Sequence, residues 1–100
     1  MLNADDVHIA HFLPGRVRIK AAALKGNPGQ AEQLSAAFRA VPGVKSIDCN
    51  TLTGSALIQY DTRRIVEADA AQTLAKVLKQ ELPGLDVDEV LKWLGAPPQG

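Results

Sequence analysis

The chain predicts an α+β sandwich, with two helices laid on one face of an antiparallel sheet. Three observations carry this. Residues 30–41 and about 68–82 repeat apolar side chains at helical spacing. Between them, residues 44–60 alternate with period two around Thr53-Gly54. Ahead of both, residues 7–21 alternate and are rich in Val, Ile and Phe. The resulting order, β-α-β-β-α followed by a short helix or a fourth strand, is that of a ferredoxin-like sandwich.

The first element reads as one strand over 7–21, broken or bulged at Pro14-Gly15. Before the bend, strict alternation puts Val7, Ile9, His11 and Leu13 on one face and His8, Ala10 and Phe12 on the other. After it, Arg16, Arg18 and Lys20 form a cationic row opposed by Val17, Ile19 and Ala21. Lys25-Gly26-Asn27-Pro28-Gly29 is a loop by its turn chemistry. Leu34, Ala37, Phe38 and Val41 make the apolar face of the first helix, which Pro42-Gly43 ends. In the hairpin, Ile47 and Cys49 alternate with Ser46, Asp48 and Asn50, and Ala56, Ile58 and Tyr60 return. The second helix starts at Ile65 or Ala68; Ala71, Leu74, Val77 and Leu78 are its stripe, and Pro83-Gly84 closes it. Asp86 and Glu89 are spaced as a capping box ahead of Val87, Val90, Leu91 and Leu94. This favours a third helix at 87–94, stopped by Gly95; a fourth strand from Leu85 to Leu91 is the competing reading.

One hundred residues suit one small domain, expected at 7–95 between flexible ends at 1–6 and 96–100. Eleven basic and eleven acidic side chains give no net pull toward nucleic acid or a membrane surface, so any such binding must come from a local patch. A single cysteine cannot form an internal disulfide, which fits a reducing compartment. The N-terminal residues lack the cationic and apolar regions of a signal peptide, and no apolar run is long enough to cross a bilayer. The expected setting is the cytoplasm.

Chemistry concentrates in His11-Phe12-Leu13-Pro14-Gly15-Arg16-Val17-Arg18. Arg16 and Arg18 suit a phosphate, a carboxylate-bearing cofactor or an acidic partner segment, because guanidinium forks pair bidentately with such groups. They also suit a solvated strand face that discourages edge pairing. His11 has the chemistry to ligate a metal or haem iron, to contact an anion, or to orient the bend by hydrogen bonding. Pro14 and Gly15 set the geometry, and a run of exposed N–H groups there would add an anion nest. Under strict alternation His8 and His11 point apart and cannot chelate together. Cys49 reads as a small buried hydrophobe.

Residues 41–48, Val-Pro-Gly-Val-Lys-Ser-Ile-Asp, continuing through Leu52-Thr53-Gly54-Ser55-Ala56 to Ile58-Gln59-Tyr60-Asp61, resemble heavy-metal-associated (HMA) domains. Metal-carrying members hold a soft metal with a Cys-x-x-Cys at the start of the first helix. The corresponding positions here are Asn27 and Gln30, so a copper or zinc thiolate site is not expected. His11-x-x-Pro14-Gly15-Arg16-x-Arg18 is similar to the signature of a divergent branch that lacks the cysteine pair. Members of that branch occur as small proteins and as N-terminal parts of P-type metal-transporting ATPases, some linked to iron handling and iron storage.

The resemblance implies a non-catalytic binding module in metal homeostasis, with His11, Pro14, Gly15, Arg16 and Arg18 as its ligand-binding residues and His11 as its metal contact. The resemblance places the chain near metal traffic and does not itself identify the ligand; iron or haem is the candidate cofactor, and a metal-transporting ATPase or a metal-storage protein the candidate partner. The alternative is an assembly domain, with or without homo-oligomers, that uses a sheet edge left open by a missing fourth strand. Catalysis is not expected, since no nucleophile–base pair is visible. Nor is RNA binding, which needs stacking aromatics that a chain with four cannot spread over a sheet.

Overall fold

The computed structural model describes residues 7–95; the ends expected at 1–6 and 96–100 lie outside the described residues. Strand β1 is Val7–Leu13 and β2 is Arg16–Ala21. A 3-10 turn at Ala22–Leu24 leads to helix α1, Pro28–Arg39. The second hairpin is β3, Val44–Asn50, and β4, Ser55–Tyr60. Helices α2, Ala68–Glu81, and α3, Val87–Leu94, follow. The four strands form one antiparallel sheet in the order β1-β2-β4-β3. This is the ferredoxin-like α+β sandwich, with a third helix after α2 where the usual order has a fourth strand.

One element differs from its sequence expectation. Residues 7–21 are two strands, because Pro14-Gly15 reverses the chain instead of bending it. Leu13 pairs with Arg16 across a two-residue turn. Proline followed by a glycine at φ +82° is the type II pattern, in which the third position must be left-handed. The peptide is held in place, since the Gly15 carbonyl accepts from the Tyr60 N–H at 3.0 Å. β1 therefore occupies the edge beside β2, the position a C-terminal fourth strand would have filled.

The sheet buries one face only. Ile19, Ala21, Ile47, Ala56, Ile58 and Tyr60 point inward against Leu34 and Phe38 of α1 and Leu74 and Leu78 of α2. α3 completes this layer over β1 and β2. Leu91 is fully buried, and Trp93 meets Phe12 edge to face with ring centroids 5.8 Å apart. The helix is capped as its sequence predicts: the Asp86 side chain accepts from the Glu89 N–H at 3.2 Å.

Candidate functional site

Pairing register decides which side chains share the outer face. On β1 the ladder runs Ile9 to Ile19 and then His11 to Arg18, so Ala10 is the extra residue of a bulge. The bulge shifts the alternation by one. Val7, Ile9 and Phe12 turn inward, while His8, His11 and Leu13 turn outward. Strict alternation had put His11 with Val7 and Ile9, and His8 opposite it; the bulge overturns both placements. Because cross-strand partners project to the same side, His8 stands beside Lys20, His11 beside Arg18, and Leu13 beside Arg16.

The outer face continues across the sheet. Arg16, Arg18 and Lys20 pair with Gln59, Leu57 and Ser55, which in turn pair with Ser46, Asp48 and Asn50. All three cations and both histidines are exposed. Among the described residues, ion pairs within 4 Å involve only Arg64, which reaches Glu67 and Asp69. The fold thus brings His11, Arg16 and Arg18 to one patch and adds Lys20 and His8 to it. Pro14 and Gly15 sit at its margin and act through the turn geometry. They border a shallow opening shared with Lys45, Asp61 and Arg63.

His8 is the residue that strict alternation missed. Its signal lay in the apolar pattern: Val7 and Ile9 occupy odd positions and Phe12 an even one, a phase change that one extra residue absorbs. Arg64 is an anchor just ahead of α2. Its guanidinium meets Asp69 through two hydrogen bonds, at 2.8 and 2.7 Å. That pairing holds the Asp69 carboxyl down at about 2.

A metal must be tested against the donors present. Among the described residues, no group of three or more His, Cys, Asp and Glu side chains comes together. At the place of a thiolate pair, the Asn27 side-chain oxygen caps α1 by accepting from the Gln30 N–H at 3.2 Å. These residues serve the helix and do not fit a soft metal. Cys49 is half-buried under α1, with its sulfur 3.4 Å from the Ser35 hydroxyl and 3.7 Å from the Ala31 carbonyl oxygen. On the outer face, the imidazoles of His8 and His11 are flanked by Arg18 and Lys20, whose charge opposes a bare dication and favours an anion or an anionic metal complex.

A small antiparallel sandwich with one bare sheet face and no thiolate pair defines a class: a heavy-metal-associated-like scaffold without the cysteine site. The chain matches the family described as Heavy metal associated domain 2 over residues 3–83, and it belongs to that family. Neither the curated proteins nor the solved structures contain a match to it. The match ends before α3, so the helix that covers Phe12 lies beyond the matched segment. Among the described residues, no helix is long and apolar enough to cross a membrane.

Proposed function

We propose that the chain is a non-catalytic cytoplasmic binding module in metal homeostasis or transport, with iron as the candidate metal. It recognises an anionic or metal-bearing ligand, or a transporter partner, through the segment from His11 to Arg18. Membership of a heavy-metal-associated family supports the metal-related role. The observation that carries the rest is the shared outward face of His11, Arg16 and Arg18, with no carboxylate of the described residues in ion-pair range of either arginine. Guanidinium groups with no ion-pair partner among the described residues are available to a ligand. Pro14 and Gly15 hold the turn that sets β1 against β2. His11 supplies an imidazole for direct contact with a metal or haem iron carried in by the ligand.

The edge-pairing alternative rested on a missing fourth strand. β1 fills that position, and both edge strands carry a register shift, at Ala10 on β1 and at Lys45 on β3. Bulged edges resist pairing with another chain.

Native mass spectrometry of the protein purified from its own host tests the proposal. The wild-type chain is expected to retain a metal, haem or organic anion, and Arg16→Ala/Arg18→Ala or His11→Ala to lose it with an unchanged circular dichroism spectrum. Ligand retention that ignores the double arginine variant would remove the main support.

A further inference from the structure

The arrangement of the cations says what kind of anion fits. We infer that the outer face binds an extended acidic peptide segment, with carboxylates on alternate residues, laid along β2. This inference rests on the anion-binding reading above and narrows it.

A single phosphate or carboxylate is held by donors that converge on one point within hydrogen-bond distance. Here Arg16, Arg18 and Lys20 project from alternate positions of one straight strand. Successive cations are therefore about 6.7 Å apart, and the row is about 13 Å long. The face has no walls to bend them onto a common centre, because every helix lies on the other side of the sheet. A linear polyanion engages the whole row at once, whereas a compact one reaches only part of it.

An extended peptide has the same two-residue repeat as the strand beneath it, so carboxylates at alternate positions meet the three cations in register. Its intervening groups would lie over Leu13, which is 49% exposed, and the half-buried Leu57. Single-stranded nucleic acid is the poorer match. Its recognition on a sheet relies on stacking aromatics. Phe12, Phe38 and Tyr60 all face the interior, and Trp93 is on α3. The outer face also has a charge gradient. Three cations lie on β2, whereas the paired positions of β3 hold Ser46, Asp48 and Asn50. The acidic strand is thus confined to the β1–β2 side, where His8 and His11 flank it.

The test is fluorescence anisotropy on the full chain at low salt. The probe is a labelled nine-residue peptide with Glu at alternate positions and Ser or Thr between. Comparison ligands are the same composition with its glutamates contiguous, inorganic polyphosphate, and a single-stranded oligonucleotide of equal charge. The alternating peptide is expected to bind tightest. Its affinity should fall by about tenfold or more in Arg16→Ala/Arg18→Ala/Lys20→Ala, and fall again as salt is raised. Arg16→Glu/Arg18→Glu should lose it and gain a peptide with alternate lysines, with a circular dichroism spectrum and urea midpoint that match the wild type. Equal affinity for the two glutamate peptides, tighter binding of polyphosphate or oligonucleotide, or indifference to the triple variant would overturn the inference. If the host-derived ligand still depends on Arg16 and Arg18 while the alternating peptide fails to bind, the inference falls and the binding-module reading stands. If neither responds to the arginines, both fall.

Discussion

The two hairpins of the sheet are built alike and used differently. Each has an edge strand with one register shift, β1 at Ala10 and β3 at Lys45, and each sends apolar side chains inward. Their tips and outer faces diverge. The β3–β4 turn is tied into the scaffold. Gly54 accepts from the Ala21 N–H at 2.8 Å, Thr51 accepts from the Gly26 N–H at 2.8 Å, and Asn50 closes the turn from within. The β1–β2 turn is tied to the neighbouring strand by one backbone hydrogen bond among the described residues, from the Tyr60 N–H to the Gly15 carbonyl. Outward, β3 and β4 show mainly neutral side chains, whereas β1 and β2 show two histidines, two arginines and a lysine. One hairpin is spent on holding the fold together, the other on presenting charge. The lesson is that the cations gather on the outer face of the hairpin whose tip is less tied to the rest of the scaffold.

The largest expected break is at the anchored tip. Gly54 has φ +70°, and a Cβ there would stand 3.0 Å from the Ala21 carbonyl oxygen. Gly54→Ala should cost roughly 2–3 kcal/mol in urea unfolding. Phe12→Ala removes the inward anchor of the other hairpin and its contact with Trp93. Because Phe12 is only half-buried, the loss should be about 2 kcal/mol, below that of a fully buried aromatic. A drop in Trp93 fluorescence change on unfolding would report α3 coming loose.

Gly15→Ala probes the lightly tied tip. Its φ is also positive, but the nearest backbone atom, the Tyr60 carbonyl oxygen, is 3.3 Å from the added Cβ. We expect about 1–2 kcal/mol, less than at Gly54. If Gly15→Ala proves the costlier change, the contrast between the tips is wrong.

Asp69 gives a smaller, pH-dependent effect. Hydrogen bonding to Arg64 lowers its carboxyl from 3.8 to about 2 in the folded chain. A group with a depressed folded value stabilises fully above its unfolded value. That contribution is lost as pH falls from about 4 toward 2. Asp69→Asn should flatten the dependence of the urea midpoint on pH across that window and change little at neutral pH. The smallest effect belongs to the charged hairpin face. Arg16→Ala/Arg18→Ala should alter stability by no more than about 0.5 kcal/mol, since both side chains are exposed. Destabilisation well above 1 kcal/mol would make the arginines structural.

Much of this was legible in the residues. The helices, the second hairpin and the cationic row follow from periodicity that burial enforces, and Asp86 and Gly95 mark the ends of α3 where they should. Two features of the site were hidden. Pro14-Gly15 suits a kink as well as a reversal; which occurs depends on whether Phe12 finds Val17 across the turn, a pairing that local chemistry does not specify. The bulge at Ala10 is a one-residue slip in an otherwise regular strand, and it alone moves His11 from the core side to the charged side. Patterns repeated over a whole element are readable, whereas a single inserted residue has no repeat to show itself by.

The placement of β1 has a consequence for how the chain assembles. An edge strand at the C-terminus joins its neighbour only after the entire domain has been gathered, and the closure entropy of that long loop comes first. β1 meets β2 across two residues, so this edge forms by local contact. On a ribosome, the hairpin bearing the histidines and arginines is the first part of the sheet to emerge, and its two strands meet by local contact, while the helices that arrive later supply the packing that holds them together.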